Sequence, residues 1–262
     1  MLNNKVVVIT GASSGIGAQL ACECSRRGAN VVLAARREKE LREVAAECDG
    51  ETLCVVADVT KRGDVQRLLD QAVAKLGHVD VWVNNAGRGI SKPILTLTDD
   101  DVDEMYRANL LSALYGMQIA AAHFQSRNSG QIINVSSMLG RVPFASIRSA
   151  YSAMKHALNS LTCNLRVDLK QTHPGIHVTL FLPGVVATDF GLNARGGGPD
   201  SRSMPFAQPV EEVAKLLADA MEKPCAEVYS RPVYREHVAR YYTAEDVAVI
   251  ESQPPFVVVE AP

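Results

Sequence analysis

A chain of 262 residues, 47% of them hydrophobic, is long enough to bury one large core, and no Pro/Gly/Ser-rich linker divides it. A formal net charge of -2, with both signs spread along the chain, leaves no basic footprint for nucleic acid and no polybasic patch for a membrane surface. The first residues, MLNNKVVVITG, have neither the layout of a signal peptide nor the length of a membrane span, so a single-domain cytoplasmic protein acting on small molecules is expected.

Apolar runs rich in Val and Ile alternate with longer amphipathic stretches, and the runs are continuous, as in strands covered on both faces. In chain order the pattern predicts strand Lys5–Thr10, helix Ile16–Arg27, strand Asn30–Ala35, helix Arg37–Cys48, strand Thr52–Ala57, helix Asp64–Lys75 and strand Val79–Val83. It continues with one long helix Asp99–Gln125, strand Gly130–Val135, helix Ala150–Gln171, strand Ile176–Leu182, helix Val210–Glu222 and strand Ala226–Tyr229. Such alternation specifies an α/β fold, a doubly wound (Rossmann) parallel β-sheet of about seven strands with helices on both faces. The segment 184–209, rich in Gly, Pro and Ser, is expected to be a mobile cover. Residues 231–262 form a C-terminal extension: a helix over Val233–Tyr242, a second from Ala244, and an apolar tail. Phe256–Val259 of that tail would pack either across a subunit boundary or on its own chain. The six cysteines show no C-x-x-C pair and the six histidines no metal-ligand spacing, so buried free thiols and no metal are expected.

The first strand runs into Thr10-Gly11-Ala12-Ser13-Ser14-Gly15-Ile16-Gly17, which opens a helix. Gly11 suits a tight turn, Gly15 a close approach of backbone to a pyrophosphate, and Gly17 close helix–strand packing. Free N–H groups at the helix N-terminus would face the phosphates, with Ser13, Ser14 and Ile16 completing the turn. The second strand ends Ala35-Arg36-Arg37, without the carboxylate that accepts from a ribose 2′-hydroxyl in NAD-binding domains. Guanidinium groups grip a 2′-phosphate, so the cofactor is expected to be NADP(H), with Arg36 the main contact and Arg37 the second. Asp58 and Val59, after the third strand, would meet the adenine edge; Asp58 is equally placed to cap the next helix.

Tyr151 and Lys155 stand four apart in a helical stretch and so share one face. A phenol titrates near ~10, and an ammonium beside it favours the phenolate. Hydride transfer to a carbonyl builds charge on oxygen, and the hydroxyls of Ser137 and Tyr151 are the donors that would meet it.

On these motifs, together with Asn84-Asn85-Ala86-Gly87 after the fourth strand, Asn109 in the long helix, Ser136-Ser137 after the fifth, and Pro183-Gly184 with Thr188 after the sixth, the chain resembles the short-chain dehydrogenase/reductase family over roughly nine-tenths of its length. The resemblance implies that Tyr151 donates or accepts the proton, and that Lys155 lowers its pKa and binds the nicotinamide ribose. It implies that Ser137 holds the substrate oxygen and that Asn109 holds a proton-relaying water. Asn85, Ala86 and Gly87 would form the cofactor floor, and Pro183, Gly184, Val186 and Thr188 would meet the nicotinamide half. It further implies a carbonyl or alcohol substrate and a homodimer or homotetramer built through the long helices. Three departures stand out. The segment from Ser137 to Tyr151 is one residue longer than the common spacing, Ser14 replaces the Arg of many NADP-preferring members, and the C-terminus resembles those of steroid- and retinoid-type relatives.

Met138, Leu139, Val142, Phe144, Ile147, Phe190, Leu192, Met204 and Phe206 are expected around the substrate, an apolar set suited to a hydrophobic carbonyl compound. Each is as readily a packing residue. Arg141, Arg148 and Arg195 are available to an anionic substrate, or are simply solvated. A non-catalytic NADP(H)-binding sensor is the competing function, disfavoured by the presence of Tyr151.

Overall fold

The computed structural model describes residues 1–254 and 256. One sheet of seven parallel strands runs in the order β3-β2-β1-β4-β5-β6-β7. The strands are β1 Val6–Thr10, β2 Asn30–Ala35, β3 Thr52–Val56, β4 Val81–Asn84, β5 Gly130–Val135, β6 Ile176–Leu182 and β7 Glu227–Tyr229. All seven expected strands are present. The start of β4 falls later than expected, at Val81; ahead of it the Val79 N–H donates to the His123 ring at 3.2 Å.

Helices α1 Gly15–Arg26, α2 Glu38–Ala46, α3 Arg62–Leu76, α4 Asp99–Tyr106, α5 Ser112–Gln125, α6 Ser149–Thr172, α7 Val210–Glu222, α8 Pro232–Tyr242 and α9 Val247–Glu251 complete the described architecture. Successive side chains of a strand point to opposite faces, and this alternation sorts the helices. Val7 and Ile9 of β1 join a core with Leu20 of α1, Leu41 of α2 and Leu217 of α7. Val6 and Val8 join another with Leu68 of α3, Phe124 of α5 and Leu158 of α6. The strand order reverses between β1 and β4, and a crevice at the carboxyl ends of strands at such a switch point is where ligands bind in this class of sheet.

The single long helix expected over Asp99–Gln125 is two helices joined by a π-turn, Arg107–Leu111. Its start is fixed by a capping box in which Thr98 and Asp101 exchange side-chain and backbone hydrogen bonds. Segment 184–209 is tied down at several points: Val186 bridges Gln208, Arg195 bridges Ile90, and Ser201–Ser203 forms a 3₁₀ turn. In the C-terminal extension, α8 and Phe256 cover the carboxyl end of β6. Phe256 packs on Phe144 at 4.8 Å and Tyr241 at 5.6 Å between ring centroids. The rest of the expected apolar tail segment, 257–259, lies outside the described residues. The second extension helix begins at Val247, three residues later than expected, because Asp246 accepts from Ala248 N and caps it there. All six cysteines are free, but only Cys24 is buried and Cys225 is exposed, a correction to the expectation of buried thiols. Among the described residues no helix is long and apolar enough to cross a membrane.

Candidate active site

At the carboxyl end of β1 the chain turns sharply, with Gly11 at φ +67 and Gly15 at φ +57, a region that favours glycine. At Gly17 the reason for glycine is space: a Cβ there would stand 2.4 Å from Gly11 O. Thr10 Oγ1 donates to Val83 O and accepts from the backbone N–H groups of Asn85 and Ala86. Asn85 Nδ2 donates to Thr10 O at 2.9 Å and to Gly11 O at 3.3 Å. Asn85, expected in the cofactor floor, uses its side chain to brace the glycine turn against the loop after β4. Ser14 precedes α1 without a side-chain cap, so the first N–H groups of that helix keep their donor capacity. Ile16 turns its side chain into the core, leaving only its backbone at the turn. Thr188 sits opposite, its methyl 3.4 Å from where a Gly15 Cβ would be, and Val186 is buried beside it.

The two arginines after β2 differ. Arg36 is exposed and has no hydrogen bond among the described residues. Arg37 Nη2 donates to the hydroxyls of Ser13 and Ser14, each at 2.9 Å, and so lies over the glycine turn. Arg37, expected as the secondary contact, is the one held at the turn. Asp58 accepts from Thr60 N at 3.1 Å and Thr60 Oγ1 at 2.7 Å, closing a tight turn. The N-cap of α3 is Lys61, so the helix-capping alternative for Asp58 does not hold. Val59 packs into the sheet face.

Across the crevice, Tyr151 and Lys155 share the buried face of α6. Lys155 Nζ donates to Val135 O at 2.8 Å and lies 5.5 Å from the Tyr151 ring centroid. The two serines after β5 diverge. Ser136 donates to Asn159 in the buried seam beneath α6, whereas the Ser137 hydroxyl accepts from Leu139 N and neighbours the Tyr151 phenol. Asn109 sits on the π-turn, where its Oδ1 accepts from Arg88 N at 3.0 Å and its Nδ2 donates to Arg88 O at 2.9 Å and Met105 O at 3.1 Å. Gly87 and Pro183 complete the set. A Cβ on Gly87 would stand 2.8 Å from Asn109 Oδ1 and 3.7 Å from Lys155 Nζ, and Pro183 O accepts from Met138 N. Gly184 is overlain by Tyr234 of α8, whose hydroxyl would lie 2.1 Å from an added Cβ.

Burial governs the electrostatics. It pushes the Tyr151 phenol up to about 12, against the opposing influence of the Ser137 hydroxyl and the Arg148 guanidinium. It pushes the Lys155 ammonium down to about 7. In the folded chain the groups that oppose the rise at Tyr151 are Ser137 and Arg148, and burial is what sets the direction at both Tyr151 and Lys155.

Phe190 covers Tyr151, with ring centroids 5.6 Å apart, and Ile90, Leu139 and Met154 pack around the same phenol. Met138, Val142 and Phe144, expected to line the substrate space, belong instead to the cluster under α8. Ile147, Leu192 and Phe206 are exposed. Two polar networks, one buried and one centred on the buried Asp101, escaped the sequence reading. Asn84 accepts from Trp82 Nε1 and donates to Asn134, which donates to Thr162, stitching β4 and β5 to α6. Asp101 and Glu104 of α4 bind Lys92, Arg88 and Arg195 and so moor segment 184–209. The signals were present: asparagines inside apolar strands, and the acidic run Asp99-Asp100-Asp101.

The short chain dehydrogenase family model matches residues 5–196. An uncharacterised oxidoreductase of Bacillus subtilis (strain 168) is 35% identical over 236 residues, covering 87% of this chain; the chain spans 65% of that relative's length. An alcohol dehydrogenase from the archaeon Thermococcus sibiricus, complexed with 5-hydroxy-NADP, superposes with a TM-score of 0.76 at 26% identity, covering 88% of this chain and 97% of its own. A short chain dehydrogenase/reductase from Burkholderia phymatum in complex with NAD has the same fold, with a TM-score of 0.85 at 24% identity over 99% of both chains. The chain therefore belongs to the short chain dehydrogenase family and is an oxidoreductase of that family.

Proposed function

We propose that this oxidoreductase interconverts a carbonyl and an alcohol on a small, largely apolar substrate, using NADP(H), with Tyr151 as general acid and base. The observation that carries the reading is the meeting of three groups from separate elements. The Tyr151 phenol and Lys155 ammonium of α6 and the Ser137 hydroxyl after β5 lie together at the carboxyl edge of the sheet.

A dinucleotide fits the residues present. Gly15 leaves the turn without a side chain opposite Thr188, and α1 begins without a side-chain cap, so its N–H groups suit a pyrophosphate. Gly11, Ser13, Ser14, Gly15, Ile16 and Gly17 would hold it there. Arg36 and Arg37 favour the 2′-phosphate form, since a phosphate is gripped by guanidinium and repelled by carboxylate. Asp58 and Val59 would border the adenine; Ala86, Gly87, Pro183, Gly184, Val186 and Thr188 would border the nicotinamide half. A nicotinamide held there supplies the hydride donor or acceptor, and in its oxidised form a positive charge.

The chain's own residues handle the proton. With its pKa at about 12, Tyr151 is a phenol at neutral pH and donates its proton to a carbonyl oxygen as negative charge develops. Ser137 donates a second hydrogen bond to that oxygen. In the reverse direction Tyr151 accepts the alcohol proton, and Ser137 and Arg148 favour the phenolate that must form. Lys155, held by Val135 O, orients its ammonium beneath the ring. Asn109 keeps the loop carrying Gly87 and Arg88 in place. The water-holding role implied by the resemblance falls to its main chain, since its amide is engaged with Arg88 and Met105. Exposed Val102, Tyr106 and Val167 on α4 and α6 suit assembly into a homodimer or homotetramer, which a monomeric mass in light scattering would refute.

Incubating the protein with NADPH and a panel of ketones and aldehydes tests the function. Tyr151→Phe is expected to lower kcat by 10³-fold or more, on the order of the contribution of a positioned acid, with NADPH affinity nearly unchanged. A substantial residual rate removes Tyr151 from the mechanism. Intact NADPH binding without turnover on any compound favours the sensor.

A further inference from the structure

Three arginines near the substrate space were candidates for an anion, and the structure separates them. Arg141 pairs with Glu227, and Arg195 pairs with Asp101 and Glu104. Arg148 has no carboxylate partner among the described residues; its one side-chain hydrogen bond runs from Nη1 to Ile90 O at 3.2 Å. The guanidinium is partly buried, so a cation is held out of bulk water with most of its donors unused.

The surroundings are made for that guanidinium. Gly89 and Gly198 flank it: a Cβ on Gly89 would stand 3.0 Å from Arg148 Nη1, and one on Gly198 would stand 3.3 Å from Nη2. The same point on Gly198 lies 2.7 Å from Gly191 O and 3.1 Å from Ser91 Oγ, a buried hydroxyl with no hydrogen-bond partner. A buried hydroxyl left without a partner is costly, and with a partly buried guanidinium whose donors are mostly unused close by, an added acceptor would be favoured. The guanidinium adjoins the chemistry. Phe190, whose ring meets Tyr151 at 5.6 Å, stands 2.9 Å from the same Gly89 Cβ position.

We infer that Arg148 and Ser91 form a carboxylate subsite beside Tyr151, and that the substrate is an oxo or hydroxy acid with an apolar body. The inference rests on the proposed carbonyl–alcohol chemistry at Tyr151. A single uncompensated guanidinium matches a monoanion, and its planar fork matches the two oxygens of a carboxylate. The apolar body meets Phe190, Leu139 and Met154, while the Ser91 hydroxyl supplies a third donor.

Two measurements test this. In the first, hexanoate and hexanamide are titrated by calorimetry into the protein saturated with NADP⁺. Hexanoate is expected to bind at least tenfold tighter than hexanamide. Arg148→Met is expected to lose about 10- to 100-fold in hexanoate affinity, the factor carried by charge-assisted hydrogen bonds, with Arg148→Lys recovering part and Ser91→Ala losing less. Equal binding of acid and amide, or hexanoate affinity indifferent to Arg148→Met, overturns the subsite. In the second, kcat/KM is compared for 2-, 3- and 4-oxohexanoate and their methyl esters with NADPH. A preference for one acid that collapses toward unity in Arg148→Met supports the substrate class. An equal fall for acid and ester assigns Arg148 to tuning Tyr151 alone and overturns it. Intact hexanoate binding with no turnover of any compound would instead count against the oxidoreductase mechanism and leave the subsite standing.

Discussion

Lys155→Met is expected to abolish turnover and yet stabilise the fold. Lys155 is 3% exposed, and burial moves its titration from 10.5 to about 7. Each tenfold shift in proton affinity corresponds to about 1.4 kcal/mol, so keeping this ammonium charged costs the folded chain at most ~5 kcal/mol. Relaxation around the charge and the bond to Val135 O reduce that, and the net gain for Met at pH 7 is about 2–3 kcal/mol. The sign with pH follows from the depressed value. Below pH 7 both folded and unfolded chains hold the proton and the cost is fully present. Between 7 and 10.5 the unfolded chain binds the extra proton, so wild-type stability rises with pH and the advantage of Met falls by about 2 kcal/mol, to near zero, by pH 9. Tyr151, raised to about 12, contributes stability that is constant below its ordinary value of 10.0 and so leaves this window undisturbed. Urea unfolding of cofactor-free wild type and variant at pH 6, 7, 8 and 9 gives the difference directly. A variant less stable than wild type at pH 7, or a difference independent of pH, refutes the reasoning.

Three further outcomes follow from the same geometry. Arg37→Ala and Arg36→Ala should each weaken NADPH binding by about 10-fold or more while changing NADH binding little, measured by fluorescence titration; equal losses for both cofactors remove the 2′-phosphate role. Gly17→Ala places a methyl 2.4 Å from the backbone oxygen of Gly11, which cannot give way as a flexible side chain can, so it should lower stability by about 2–3 kcal/mol in urea. Gly184→Ala meets the Tyr234 ring, and its cost of about 1–3 kcal/mol should fall by at least ~1 kcal/mol in a Tyr234→Ala background; an additive double-mutant cycle would show that α8 does not press on this loop.

The strands and most helices were legible because their signals are local. A continuous apolar run such as Val6–Thr10 marks a doubly covered strand, and a Gly11–Gly15 turn marks the entry to α1 wherever the rest of the chain lies. Tyr151 and Lys155 were paired by helical spacing alone. The break of α4 from α5 was not legible, since a π-turn is chosen when Asn109 finds the backbone of Arg88, 21 residues away in sequence. Nor could sequence choose which arginine keeps an unsatisfied charge. Arg195 differs from Arg148 only because folding brings Asp101 and Glu104 to one and Gly89 and Gly198 to the other. The proton affinities of Tyr151 and Lys155 belong to the same class: both side chains were identified by spacing, but the direction of each shift is set by burial, which depends on the whole packed chain.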